Sequence, residues 1–156
     1  MAQRSQAFYG GKNALSLYDI SQGSATLLSG FLLEGGASGS VSGANQTVTA
    51  TDKDTGVKST PFLFPFVGAR VIASADFSNA TVRYNVGVRF LDNAGATISE
   101  ATTDYIASGR RTVEATVPAN TVYIQFISTR NDATGASGAW TFTRPALRTN
   151  SSSFAY

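Results

Sequence analysis

The chain has no cysteine and no histidine, and only one methionine and one tryptophan, in 156 residues. Without cysteine there is no thiolate nucleophile and no disulfide, and the redox compartment leaves no trace. Without histidine the commonest general base and the commonest metal ligand are missing. Together these absences exclude Ser-His-Asp triads and Cys-His dyads. Charge is scarce as well: charged residues are 14% of the chain, against about 25% in a typical domain. The net charge is +2 and the basic residues are scattered, with Arg110-Arg111 the one adjacent pair. A nucleic-acid binder carries a dense basic face, so no nucleic acid is expected. No run approaches the roughly 18 apolar residues of a membrane span. The opening residues MAQRSQAFYGG lack the apolar core of a signal peptide. No membrane partner and synthesis in a host cytoplasm are therefore expected.

What is present is a hydroxyl-rich, weakly charged chain with 42% hydrophobic residues. A domain of this length buries roughly 70% of its unfolded surface, so it can fold without a disulfide or metal. No cofactor is expected. From residue 46 onward the pattern is that of strands. In residues 81–91, Val82, Tyr84, Val86, Val88 and Phe90 alternate with polar or small residues. This period of two gives one apolar and one polar face. Val113, Ala115 and Val117 alternate in the same way, and so do Val122, Ile124 and Phe126. The opposite face of the last segment holds Tyr123, Gln125 and Ile127. Asp92-Asn93-Ala94-Gly95 and Pro118-Ala119-Asn120 supply turns. Pro61, Pro65 and Pro145 confine their segments to sheet edges or bulges. No stretch has helical periodicity. About eight strands with short turns predict an all-β, antiparallel sandwich or barrel. Its core should hold Val82, Tyr84, Val86, Val88, Phe90, Val113, Val117, Val122, Ile124, Phe126, Trp140 and Phe142.

Residues 1–45 differ. Gly and Ser punctuate small apolar islands at Phe8-Tyr9, Leu15, Leu17-Tyr18, Leu27-Leu28 and Phe31-Leu32-Leu33. Two readings fit: a tail followed by a first strand near residues 27–33, or an irregular arm whose islands dock on a neighbouring subunit. The second assigns Phe8, Tyr9, Leu15, Leu17, Tyr18, Leu27, Leu28 and Phe31 to docking. The expected organisation is a 1–45 arm, a 46–148 sandwich and a 149–156 tail.

Three motifs carry a resemblance. Pro61-Phe62-Leu63-Phe64-Pro65-Phe66-Val67-Gly68-Ala69-Arg70-Val71-Ile72-Ala73-Ser74 reads as strand, turn and strand. Val117-Pro118-Ala119-Asn120-Thr121-Val122-Tyr123-Ile124-Gln125-Phe126 reads as a hairpin. Gly138-Ala139-Trp140-Thr141-Phe142-Thr143-Arg144-Pro145-Ala146-Leu147 reads as a closing strand. They resemble the jelly-roll β-sandwich of carbohydrate-binding modules, versions of which recur in bacteriophage tail-fibre and capsid-surface proteins. The family's closing strand often carries an Asp that helps hold a structural calcium. This chain has Thr143 and Arg144 there.

Chemistry is sparse. Glycosidases need two carboxylates about 5–10 Å apart, but the ten acidic residues sit mostly at turns and strand ends. Asp52-Lys53-Asp54-Thr55-Gly56 echoes the start of a calcium loop but lacks the distal Glu, which favours a surface turn. No catalytic, cofactor or metal residues are assigned. Exposed Tyr faces and planar polar groups are the means of sugar binding, which makes Tyr105, Tyr123 and Gln125 the candidates for a ligand or subunit surface.

The resemblance and composition lead to a non-enzymatic virion structural protein. Its expected role is capsid decoration or cement on the virion surface, with the major capsid protein or another virion protein as partner. It would act as a homo-oligomer, a trimer first. The alternative is a carbohydrate-binding module of a tail or head fibre that recognises host glycans.

Overall fold

The alternation of Val, Tyr and Phe in residues 81–91 yields an inner strand of one sheet, Tyr84–Leu91. A computed structural model describes residues 27–28, 30–133 and 135–149. The expected docking residues Phe8, Tyr9, Leu15, Leu17 and Tyr18 lie outside that range. Among the described residues there are eleven strands and no helix: β1 (Phe31–Glu34), β2 (Ser38–Ser42), β3 (Asn45–Ala50), β4 (Gly56–Ser59), β5 (Phe62–Leu63), β6 (Arg70–Ser78), β7 (Tyr84–Leu91), β8 (Thr97–Tyr105), β9 (Gly109–Thr116), β10 (Tyr123–Thr129) and β11 (Gly138–Thr149). They form two antiparallel sheets, an all-β jelly-roll sandwich. Sheet A has the order β1-β4-β10-β7-β8, with β5 also on β10, and sheet B has the order β2-β3-β11-β6-β9.

The core lies where the inner faces meet. Trp140, Tyr84, Phe62, Phe64, Phe126 and Phe142 are fully buried there. Every core residue expected from periodicity is buried except Val122, which is half-buried. Trp140 also joins the sheets by a polar relay. Its Nε1 donates to Ser128 Oγ at 3.0 Å, and that hydroxyl donates to the Asn85 carbonyl at 2.8 Å. A buried indole N–H without such a partner would cost its full desolvation.

Residues 27–34 belong to the sandwich rather than to an arm. Leu28 and Phe31 are 4% and 6% exposed. The Phe31 ring packs edge-on to Phe126 at 5.9 Å and tilted on Phe142 at 5.6 Å. Gln46 explains how the segment is held. Its side-chain oxygen accepts from Leu28 N at 2.8 Å, while its Nε2 donates to the carbonyls of Ser40 and Thr47. The docking assignment of Leu28 and Phe31 is therefore corrected: their apolar surface is already covered by this chain. Leu27 is partly buried against the same core. The expected boundary at residue 46 moves accordingly, because β1 and β2 precede it.

The prolines act as expected. Pro61 follows β4, and the chain re-enters sheet A only as the two-residue β5. Pro145 sits in a bulge of β11, where the register with β6 shifts between Thr143 and Ala146. The Asp52–Asp54 segment is a surface turn in which the Thr55 hydroxyl donates to the Asp52 carbonyl at 2.7 Å. Asp54 there has φ 63°.

Candidate functional site

Strand alternation sets which residues reach the outer face of sheet A. Ile124 and Phe126 point inward, so Tyr123, Gln125 and Ile127 point outward. Gln125 lies opposite Arg89 of β7, and Arg89 lies opposite Glu100 of β8. Leu32 of β1 lies opposite Lys58 of β4. The face thus carries a polar row across four strands, with Leu32 and Leu63 at its apolar margin.

Arg89 organises this row. Its two terminal nitrogens donate to both Glu34 carboxylate oxygens at 2.8 and 3.0 Å, and its Nε donates to Glu100 Oε1 at 2.5 Å. Lys58 Nζ adds a 3.3 Å contact to Glu34. Such paired, bidentate contacts fix a planar guanidinium in one orientation. Burial by itself raises the pKa of Glu34, but the hydrogen bonds and charges of Arg89 and Lys58 outweigh it and hold the carboxyl below its ordinary value. Burial likewise opposes protonation of Arg89, and Glu34 and Glu100 more than offset it. Two cations and two carboxylates therefore form a charge-balanced, preordered cluster. Gly87 lies two residues from Arg89 on the same face. A Cβ there would come within 2.6 Å of the Ala101 carbonyl, so only glycine allows β8 to close against β7.

The three candidate residues are not brought together. Tyr105 pairs with Tyr84 at one end of β7, and Tyr123 pairs with Leu91 at the other. Tyr105 is turned toward the core: its ring lies 6.2 Å from that of Tyr84, its hydroxyl donates to the Thr112 carbonyl at 3.2 Å, and Arg111 sits 4.8 Å from its ring centroid. It joins the edge of sheet A to β9 and is not an open stacking platform. Gln125 is only 4% exposed and donates to the Ser59 carbonyl at 2.7 Å. Its assignment to a ligand surface is corrected, because its amide serves a backbone gap. Tyr123 alone stays half-exposed on the outer face. Sequence reasoning missed Arg89, Glu34, Lys58 and Glu100, which are far apart in the chain. Arg89 on the polar face of β7 was the only local signal.

No family model matches the chain, and no curated protein sequence does. Solved structures do resemble it. A xylan-binding domain, CBM22-1 of Xyn10C from Paenibacillus barcinonensis, aligns at TM-score 0.55 and 13% identity, over 77% of this chain and 85% of that one. The tandem CBM22-1-CBM22-2 domain of the same enzyme aligns at 0.61 and 12% identity, over 95% of this chain and 47% of that one. The enzymatically active domain of bacteriophage CBA120 tailspike protein 4 aligns at 0.58 and 10% identity, over 78% of this chain. The chain spans 20% of the length of that tailspike domain. At such identities the shared property is the fold: this chain has the jelly-roll sandwich of carbohydrate-binding modules.

Proposed function

We propose that the chain is a non-enzymatic glycan-binding module whose ligand lies across the outer face of sheet A. The observation that carries this reading is the preordered, partly buried Glu34–Arg89–Glu100 cluster on the same face as the half-exposed Tyr123 ring. Sugars are held by fixed planar hydrogen-bonding groups together with an aromatic face, and this surface offers both. The likeness to a xylan-binding domain supports the same ligand class. The lowered pKa of Glu34 does not suit it to the role of a glycosidase acid, whose carboxyl must be raised enough to hold its proton.

The tailspike likeness favours a place on a bacteriophage fibre or spike over the capsid-cement role, for which the comparisons give no support. Virion-surface location and trimerisation belong to this proposal. Affinity electrophoresis through gels containing soluble polysaccharides, with xylan as the first, tests it. Retarded migration that Tyr123→Ala weakens about tenfold, the scale of a lost stacking contact, is the expected result. Unretarded migration through a broad panel of neutral and acidic polysaccharides would overturn it.

A further inference from the structure

The outer face of sheet B carries a different arrangement. Alternation places Arg70, Ile72, Ser74 and Asp76 of β6 on that face, with Arg110, Thr112 and Glu114 of β9 and Arg148 of β11 opposite them. Arg144 joins them from the bulge in β11. Four guanidiniums thus share this face with two carboxylates, Asp76 and Glu114, and three of them pair with those carboxylates. Glu114 is engaged by Arg70 at 2.9 Å. Asp76 alone serves both Arg110, at 3.2 Å, and Arg144, at 2.5 Å. Arg148 is exposed and makes no ion pair among the described residues. The patch therefore has a positive excess around one shared carboxylate.

Arg144 is the centre of it. Its φ is 50°, in the left-handed region that favours glycine. Bulges redirect a side chain, and a non-glycine residue kept in such a conformation points to a use for that side chain. Its Nε donates to Asp76. The two terminal nitrogens have no partner among the described residues, and the side chain is 76% exposed. Arg110 is pinned beside it by Asp76 Oδ2, by Ser74 Oγ at 2.6 Å and by the carbonyl of Arg144 itself at 3.0 Å. The bulge thus fixes one guanidinium and presents the outer edge of the next, the geometry that takes a planar or tetrahedral anion in a bidentate grip.

We propose that this face is a second binding site, specific for an anionic group, carboxylate or sulfate, carried on a glycan, with Arg144 as its main contact and Arg110 and Arg148 beside it. The exposed Thr112 lies on the same face as the cations and suits a polyhydroxylated ligand. The face carries no aromatic ring among the described residues for base stacking, and its cations form a compact cluster, which disfavours a nucleic-acid strand. The choice of a saccharide rests on the reading of the chain as a glycan-binding module; the anion grip stands on its own geometry.

The test is isothermal titration at low salt with polygalacturonate, chondroitin sulfate, neutral xylan and a single-stranded DNA oligonucleotide. The first two separate a carboxylate from a sulfate source. An acidic polymer should bind, lose affinity as salt rises, and bind Arg144→Gly about tenfold more weakly or worse. Arg144→Gly suits the backbone at φ 50°, so its melting temperature should stay level or rise, and loss of binding cannot be blamed on misfolding. Arg148→Ala should weaken binding less. Tyr123→Ala should leave the acidic polymer unaffected while weakening xylan; xylan binding that Tyr123→Ala leaves unchanged would sink the sheet A reading and spare this one. Equal affinity of wild type and Arg144→Gly for the acidic polymer, an equal loss of neutral xylan binding in Arg144→Gly, or tighter binding of the DNA would each overturn the proposal.

Discussion

The side-chain amide of Gln125 donates a 2.7 Å hydrogen bond to the carbonyl of Ser59, between strands that the sequence separates by 66 residues. The Ser59 hydroxyl returns the contact by accepting from Phe126 N at 2.9 Å. The pair fills a break in sheet A. β10 pairs with β4 through residues 127–129 and with β5 through residues 123–124, and Pro61 interrupts the ladder between them because it has no N–H to donate. Side chains replace the missing backbone bonds there.

Gln125→Leu should therefore destabilise the fold although it adds apolar surface. The Ser59 carbonyl would lose this donor at a buried position, at a cost of about 1–3 kcal/mol. Urea denaturation measures it, and an unchanged midpoint would show that the contact contributes nothing.

Trp140→Ala should cost about 3–5 kcal/mol, because the ring is fully buried and packs between the sheets. Trp140→Phe keeps most of the volume but removes the N–H that meets Ser128, and should cost less. A loss below about 1 kcal/mol for the alanine variant would contradict the burial.

Stability should fall in acid, and Glu34 should contribute to the fall. Its folded pKa is depressed, so the unfolded chain binds the proton more readily. The stabilisation is present above the unfolded value of about 4.3, and is lost as pH drops through the lower folded value. In thermal melts at pH 3 to 7, Glu34→Gln should show a shallower acid decline than wild type. Parallel curves would remove Glu34 from the account.

Chelation should do little. The turn at Asp52 and Asp54 has Lys53 between its carboxylates, and Arg144 stands where the resembled family often has a calcium-binding Asp. EDTA should leave the melting temperature unchanged; a drop of many degrees would reveal a stabilising ion, since a ligand that binds only the folded state raises its stability.

Deleting residues 1–25 should leave a cooperatively melting sandwich, since Leu27, Leu28 and Phe31 stay in place. If the leading segment assembles the proposed trimer, the shortened chain should run as a monomer in light scattering. An unchanged mass would place the assembly surface on the sandwich itself.

The inner faces were legible in the sequence because burial on one side of a strand imposes a period of two. Val82 through Phe90, Val113, Ile124, Phe126, Trp140 and Phe142 needed no more than that. The turn at Asp92 was legible for a local reason too: its carboxylate accepts from Ala94 N and Ala96 N, and Gly95 takes φ 82°. Phe31 was not legible as core, because β1 has four residues and an irregular exposure pattern. A strand so short shows no period.

The sequence by itself determined the class of fold, the absence of histidine and thiol chemistry, and the edge or bulge positions of its prolines, because these follow from composition and near-neighbour spacing. Only the tertiary structure decided which polar residues meet. Glu34, Arg89 and Glu100 join across three strands, Gln125 leaves the candidate surface to close a backbone gap, and Asp76 gathers Arg110 and Arg144. Strand pairing between distant segments sets those partnerships, and neither the period nor the composition of any single segment encodes its register against another.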